Sequence, residues 1–316
     1  MAKMRTALYS LLAVLAFWMG GRAEDPRAAS CRAADLQKAG HSRESIPIYL
    51  EVLRSDPQCL EAEVGLGRSY YALGEYPQAE ASFTQALQLR PGNADILNWL
   101  GRSYLQENKP EKVLELVGHE GASAGNSALI HLLRARAYDA QDKLEEARGE
   151  IERALKLDPR CHGAHFAQGF IAWSTDDLAG AERDFRQELD LDAHESLAAY
   201  YLADVLDKRG KTAEAESALT QMGQDAPNTY LYQLAIGKVE ERMKKYPLAE
   251  EHYRQAIRLA PQEQEAHFHL AVVLRAEGMT AKANAEFQGF NQLQTQMQSG
   301  LTHGMGRMRP HLPDFD

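Results

Sequence analysis

The sequence predicts an all-α protein made of about eight copies of one helix–turn–helix unit, stacked in line as an α-solenoid. Prolines recur on one lattice with a spacing of 34 residues: Pro57, Pro91, Pro159, Pro227 and Pro261. A mostly small residue opens the second helix of each copy, and a bulky residue follows it four positions later. No alternation of polar and apolar residues runs beyond a few positions, so strands are not expected.

The clearest copy of this unit occupies residues 60–93. Its small and bulky residues fall at two helical spacings on either side of a turn at Gly74, namely Leu66, Gly67 and Tyr70, then Ala79, Phe83 and Ala86. The small residues let two helices approach closely, and the large ones fill the remaining space. One such hairpin cannot bury its apolar faces alone, so it requires a neighbour on each side.

The same columns recur along the chain. The close-approach position of the first helix is small in each copy: Gly67, Gly101, Ala135, Gly169, Ala203, Gly237 and Ala271. The second helix opens at Ser45, Ala79, Val113, Ala147, Ala181, Ala215, Ala249 and Ala283. Several columns in one phase over eight cycles indicate a true internal repeat.

These residues resemble the tetratricopeptide repeat, a 34-residue helical pair with a Leu-Gly, Tyr, Ala, Phe, Ala, Pro signature. Residues 60–93 match at Leu66, Gly67, Tyr70, Ala79, Phe83, Ala86 and Pro91, whereas Glu63 stands where the family has an early Trp. The resemblance implies a right-handed solenoid over residues 24–297, with repeats starting at 26, 60, 94, 128, 162, 196, 230 and 264. It also implies a non-catalytic scaffold for protein–protein interaction, and no cofactor.

Residues 1–23 have the composition of a secretory signal peptide. Lys3 and Arg5 precede an apolar run from Ala7 to Met19, and Ala23 closes the segment with small residues. Such a segment would direct the chain to a periplasm or out of the cell and would be cleaved after Ala23, with no membrane insertion afterwards. The alternative is an uncleaved anchor, but the run is shorter than the ~20 apolar residues that a spanning helix needs.

Two stretches depart from the repeat. Glycines and serines crowd residues 118–127, which predicts a short second helix and a break in the stack there. Residues 298–316 carry several glycines and prolines without periodicity, so we expect a flexible tail.

Charge and cysteines constrain the partner and the compartment. The net charge of −10 argues against nucleic-acid binding, which depends on neutralising phosphates. Cys31 and Cys59 bracket the first hairpin in the sequence, and in an oxidising compartment they could form a disulfide. The other interpretation of these two cysteines is that they are small buried residues.

In the family that this sequence resembles, the first helices line a concave groove, and offsets 2, 5, 9 and 12 of each repeat face it. Offset 9 is Arg68, Arg102 and Arg136 in consecutive repeats, followed by Phe170. The three guanidinium groups predict a ladder that binds carboxylates, because each planar fork can hold one bidentately. The predicted ligand-binding residues are Arg68, Tyr71, Asn98, Arg102, Arg136, Phe166, Phe170, Trp173 and Tyr200.

This set predicts a groove with a basic half and an aromatic half, which suits an extended peptide with acidic residues followed by apolar ones. Three alternatives stay open. The arginines could pair with acids such as Glu61, Asp95 and Asp139 while the aromatics only pack, the aromatics could bind a carbohydrate or small molecule, or the chain could be an enzyme. No nucleophile, phosphate-loop or metalloprotease motif occurs, and the His162/His165 and His267/His269 pairs do not form a four-ligand zinc set.

Overall fold

The computed structural model describes residues 25–119, 127–193, 196–222, 229–300 and 312–313. Over these ranges the protein has sixteen helices and no strand. The helices of the first four repeats are α1 Pro26–Lys38, α2 Ser42–Ser55, α3 Leu60–Ala72, α4 Tyr76–Leu89, α5 Ala94–Gln106, α6 Pro110–His119, α7 Ala128–Asp139 and α8 Leu144–Leu157. Those of the last four are α9 Ala164–Ser174, α10 Leu178–Leu191, α11 Ser196–Lys208, α12 Thr212–Met222, α13 Tyr230–Arg242, α14 Tyr246–Leu259, α15 Gln264–Ala276 and α16 Thr280–Gly300.

The chain divides into two compact bodies, an N-terminal body of Met1–Leu133 and a C-terminal body of Arg134–Asp316. In the N-terminal body the helical hairpins are α1 with α2, α3 with α4, and α5 with α6. In the C-terminal body they are α9 with α10, α11 with α12, α13 with α14, and α15 with α16. Within each body the first helix of one hairpin also packs on the first helix of the next, which is the layering of a helical repeat protein.

Helix positions follow the 34-residue period. The first helices begin at residues 26, 60, 94, 128, 164, 196, 230 and 264, so only the fifth departs from the lattice, by two residues. The all-α fold of stacked helical pairs is therefore as the sequence predicts.

Close approach within a hairpin depends on glycine. A Cβ atom added to Gly67 in α3 would lie 2.6 Å from Cε1 of Phe83 in α4, closer than carbon atoms can pack. Phe83 is fully buried, so it has little room to move. The same pairing recurs in the C-terminal body between Gly237 and Tyr253, where the distance to Cε1 would be 2.7 Å.

The departures from the repeat lie mostly outside the described residues. The predicted signal peptide, residues 1–23, is outside them, and so are residues 120–126 of the predicted break. The described part of the second helix of this repeat is α6, Pro110–His119. The helical backbone of α16 continues to Gly300, and residues 301–311 and 314–316 of the predicted tail lie outside the described residues.

Within the described ranges, no helix combines the length and the apolar character that crossing a bilayer requires.

Candidate functional site

In the N-terminal body, two of the predicted arginines lie over the ring of Trp99. The guanidinium carbon of Arg102 is 4.3 Å from the ring centroid of Trp99, and that of Arg68 is 5.0 Å away. Arg102 follows Trp99 by three positions on α5, so both side chains project from one side of that helix. Arg68 reaches the same ring from α3. A flat aromatic ring attracts cations over its face, which holds both arginines beside it.

Tyr71 completes this group, which we call the arginine–tryptophan cluster: Arg68, Tyr71, Trp99 and Arg102. The Tyr71 ring meets Trp99 edge to face at 5.3 Å, and the guanidinium carbon of Arg102 is 5.2 Å from the Tyr71 centroid. The two arginines differ in exposure, since Arg102 is 6% exposed whereas Arg68 is exposed. Arg68 is therefore the arginine of this cluster that is most open to a ligand.

Trp99 is not among the residues predicted from the sequence. It directly follows Asn98, the residue at offset 5 of this repeat that was predicted instead. Asn98 is half-buried on the same helix. The available signal was the three-residue spacing between Trp99 and Arg102, which places an aromatic ring beside a cation on a helix. The prediction of three arginines that offer their guanidinium groups to a ligand is corrected for Arg102. Its guanidinium packs against the rings of Tyr71 and Trp99.

The third arginine of the predicted ladder, Arg136, belongs to the C-terminal body and contacts Pro313 of the predicted tail. Its Nη2 donates to the carbonyl oxygen of Pro313, with an N···O distance of 3.1 Å. One helical turn further along α7, the carboxylate of Asp139 accepts from the backbone N–H of Leu312 at 2.6 Å. Arg136 is 7% exposed and Asp139 has no exposed area. Part of the predicted flexible tail is thus docked on α7.

Phe166 and Phe170 are not available to a ligand, which corrects their prediction as binding residues. Neither has any exposed area. The ring of Tyr201 covers both, at centroid distances of 5.9 Å and 5.2 Å respectively, and Phe185 packs 5.7 Å from Phe166. These rings form apolar core between α9, α10 and α11, so the alternative that the aromatics only pack is correct for them.

Trp173 is half-buried and anchored by a hydrogen bond. Its Nε1–H donates to Oδ2 of Asp204 on α11 at 2.7 Å, and Nζ of Lys208 contacts the same oxygen at 2.7 Å. Lys208 also lies 4.8 Å from the Trp173 centroid, and the Tyr201 ring is 4.9 Å away. The ring is therefore already in contact with two side chains, and nothing in this geometry favours the carbohydrate alternative.

A line of alternating charges continues from Asp204. Nζ of Lys238 on α13 is 3.7 Å from Oδ1 of Asp204 and 3.1 Å from Oε1 of Glu265 on α15. Burial alone would raise the pKa of Asp204, but hydrogen bonds from Lys208 and Trp173 and the charge of Lys238 hold that pKa below its usual value. Burial opposes the charge of Lys238, yet Glu265 and Asp204 raise its pKa. Asp204 and Lys238 are thus both charged at neutral pH.

Tyr200 lies at the edge of this charged line. It lines a small cleft between α11 and α13 together with Asp204, Asp207 and Lys238. Nζ of Lys238 is 5.6 Å from the Tyr200 centroid, and burial, with the charges of Glu265 and Asp204, raises the pKa of the phenol. Tyr200 and Trp173 are the two predicted aromatics of this body that retain exposed area.

The three cysteines of the described residues are free thiols. Cys31 and Cys59 line one pocket but are free thiols, so the disulfide does not form in this structure. No group of three or more His, Cys, Asp or Glu side chains in the described ranges is arranged to hold a metal ion. His267 and His269 form separate hydrogen bonds with Glu286 and Glu241, at 2.7 Å and 2.9 Å.

Two family models, both described as tetratricopeptide repeat, match most of the chain. One matches residues 32–94, 64–112, 132–195 and 234–290, and the other matches residues 197–229. The matches therefore cover both bodies and well over half of the sequence.

Individual relatives share the repeat at low identity. The chain is 26% identical over 212 residues to anaphase-promoting complex subunit 3 of Schizosaccharomyces pombe, which covers 66% of this chain and 31% of that protein. It is 28% identical over 169 residues to cellulose synthase operon protein C of Xanthomonas axonopodis pv. citri, which covers 50% of this chain and 11% of that protein. The chain thus spans a third or less of the length of these relatives.

Among solved structures, a chain of the Cut9–Hcn1 hetero-tetramer of the anaphase-promoting complex superposes with a TM-score of 0.65. The match covers 86% of this chain and 54% of that one, at 16% identity. A likeness at this identity establishes the shared fold of helical repeats.

Proposed function

The chain belongs to the tetratricopeptide-repeat family, whose members are generally protein-interaction scaffolds, and from this premise we propose that it is a non-catalytic scaffold that binds an extended segment of a protein partner. The proposed segment carries acidic residues followed by apolar ones and lies along the first helices of the repeats. The arginine–tryptophan cluster of the N-terminal body is the observation that carries this proposal.

The cluster offers one kind of contact to each half of such a segment. The exposed guanidinium of Arg68 suits a carboxylate, which it can hold through two parallel hydrogen bonds. The half-buried rings of Trp99 and Tyr71 suit an apolar side chain next to it. Packed helices lie roughly 8–10 Å apart. An extended peptide advances about 3.3 Å per residue, so α3 and α5 would meet side chains about three residues apart.

A labelled nonapeptide with three aspartates followed by apolar residues tests the proposal, with a second peptide that has lysines in place of the aspartates. We expect the full chain to bind the acidic peptide, as measured by fluorescence anisotropy, and the Arg68→Glu variant to bind it at least tenfold more weakly. A charge-assisted hydrogen bond contributes about 1.5–3 kcal/mol. Each ~1.4 kcal/mol corresponds to a tenfold change in affinity, so its loss accounts for the effect.

Arg43→Glu is the matched control, because Arg43 is exposed in the same body but lies on α2, the second helix of its repeat. It changes the net charge by the same amount and should alter the affinity less than twofold. Equal weakening by the two variants would mean that only bulk charge matters. Equal binding of the acidic and basic peptides would contradict the proposed ligand.

We further propose that the chain is exported and acts in a periplasm or outside the cell. The support is the sequence of residues 1–23, with two basic residues before an apolar run and small residues at its end. Mass spectrometry of the protein from its native source should find Glu24 as the first residue. Recovery of peptides that contain residues 1–23 from the mature protein would contradict cleavage.

A further inference from the structure

Leu312 and Pro313, near the end of the sequence, contact α7, which is the first helix of the fourth repeat. Leu312 is 173 positions from Asp139, and Pro313 is 177 positions from Arg136. Both contacts use backbone atoms of this two-residue segment, which donates through the N–H of Leu312 and accepts through the carbonyl of Pro313. Arg136 and Asp139 occupy offsets 9 and 12 of their repeat, two of the positions that the family resemblance assigns to the groove.

The chemistry of the contact is that of peptide recognition. A fully buried carboxylate accepts the N–H of Leu312 at 2.6 Å, and a nearly buried guanidinium donates to the carbonyl of Pro313 at 3.1 Å. Hydrogen bonds to charged groups are shorter and stronger than neutral ones. Because they engage the main chain, they do not depend on the side chain of the residue at the Leu312 position.

Proline at the second position also has a physical reason. A residue other than proline would bring a second N–H into this partly buried place, where an amide hydrogen without a partner costs free energy. Proline has no N–H, so the pair Leu312–Pro313 brings no further donor. A dipeptide with proline at its second position therefore suits this site better than two residues that each bring an N–H.

We propose that Arg136 and Asp139 form a binding site for the backbone of a dipeptide whose second residue is proline, and that the chain's own Leu312–Pro313 occupies this site and competes there with a partner segment. This proposal rests on the proposed function, since it assumes that the natural partner is a peptide. The sequence after Pro313 reads Asp-Phe-Asp, so the chain itself carries acidic and aromatic residues next to the docked pair.

Competition within one chain is strong even when the individual contacts are few. A tethered segment acts as a ligand at an effective concentration of about millimolar. A peptide added in trans must therefore displace it, and its apparent affinity falls accordingly. Any change that releases the segment should reveal the intrinsic affinity of the site.

The test uses the full chain and a fluorescein-labelled peptide with the sequence of residues 308–316, MRPHLPDFD. Leu312→Pro in the full chain removes the N–H that Asp139 accepts and changes no residue of the helices. We expect the peptide to bind the Leu312→Pro chain at least tenfold more tightly than the unaltered chain. Adding Arg136→Met to that variant should abolish this gain, because methionine fills part of the same space without donating.

Arg134→Met is the matched control, since it makes the same replacement on the same helix outside offsets 9 and 12. It should leave the gain intact. Amide hydrogen exchange gives a second readout in the unaltered chain, where the N–H of Leu312 should be protected and should lose protection in the Arg136→Met variant. Equal binding of the peptide to the unaltered and Leu312→Pro chains, no binding to either, or unchanged protection in Arg136→Met would overturn the proposal.

The acidic nonapeptide distinguishes failure of the proposed site at Arg136 and Asp139 from failure of the proposed scaffold function. If it binds the full chain through Arg68 while MRPHLPDFD fails, the scaffold function stands and the occupied site at Arg136 and Asp139 does not. If the nonapeptide fails as well, the proposed function fails with it.

Discussion

The guanidinium of Arg102 lies over the ring of Trp99, with 4.3 Å between the guanidinium carbon and the ring centroid. The same ring also contacts Phe83, which stacks at 6.0 Å, and Tyr71, which meets it edge to face at 5.3 Å. Trp99 therefore connects the core of the N-terminal body with its proposed ligand surface. Its replacement should affect both stability and binding.

Replacing Trp99 by alanine should lower the free energy of unfolding by about 3 kcal/mol, the lower end of the range for large aromatic residues, because Trp99 is half-buried. Urea unfolding followed by circular dichroism measures the change. Trp99→Phe keeps a ring in contact with Arg102 and should cost less than about 1.5 kcal/mol. If the two variants lose equal stability, the ring contacts described here contribute little.

Replacing Gly67 by alanine should destabilise the hairpin of α3 and α4. The added Cβ would lie 2.6 Å from a carbon of the fully buried Phe83 ring, and overpacking of a filled core typically costs about 1–3 kcal/mol. Thermal unfolding should show a lower midpoint for this variant.

Gly149→Ala is the control for Gly67→Ala. Gly149 lies inside α8 with no atom within 4 Å of an added Cβ. Alanine there should raise stability by up to about 1 kcal/mol through its better helix propensity. A loss of stability at Gly149, or a gain at Gly67, would contradict the packing described for these helices.

Glu240 should make the protein less stable as the pH rises from about 4.5 to 7. Burial, with smaller effects from Glu216 and Glu251 and opposed by Lys245, raises the pKa of this carboxyl to about 7. Between the unfolded and folded pKa values the folded state binds more protons, so the free energy of unfolding falls with increasing pH. The loss is complete above pH 7.

Glu240→Gln removes this titration, so its thermal midpoint should exceed that of the unaltered chain at pH 8 and equal it near pH 4. We expect a gain of about 2–4 °C, which corresponds to about 1 kcal/mol, because solvent screens part of the effect. Glu251→Gln, at an exposed position of α14, should change the midpoint far less. A gain of the same size at pH 4 and pH 8 would exclude titration as its cause.

Trp173→Phe should lower the free energy of unfolding at pH 7 by about 1.5 kcal/mol, the value of a hydrogen bond to a charged group. The variant removes the Nε1–H that Asp204 accepts at 2.7 Å and keeps most of the ring packing. The depressed pKa of Asp204 means that its charged form stabilises the fold above the ordinary Asp pKa of about 3.9, and that this contribution is lost as the pH falls through the folded pKa.

The loss caused by Trp173→Phe should therefore shrink when urea unfolding is repeated at low pH. Protonation of Asp204 leaves only a neutral hydrogen bond to lose. An identical loss at pH 7 and at low pH would show that ring packing, and not the hydrogen bond to a carboxylate, is what the substitution removes.

The helical pairs were predictable because their signals are local. Gly67 and Phe83 lie on adjacent helices of one hairpin, and the same pair of residue types recurs every 34 positions. The face of each first helix that carries the proposed site follows from residue spacing in the same way. The burial of each residue on that face could not be predicted, because it depends on side chains from other helices. Arg102 and Phe170 share offset 9 with Arg68, yet both are buried and Arg68 is exposed.

The all-α chain of tetratricopeptide-type hairpins, and the side of each first helix that carries arginines and aromatics, follow from the order of the residues, because residues a few positions apart share a helix face regardless of the rest of the chain. Three contacts depend instead on how the helices pack: Tyr201 covers Phe166 and Phe170, two arginines lie over Trp99, and Leu312 and Pro313 dock on Arg136 and Asp139. Contacts of this kind join residues from different helices or from distant parts of the chain. They carry no periodic signal, since their free energy depends on which surfaces meet after the hairpins have packed.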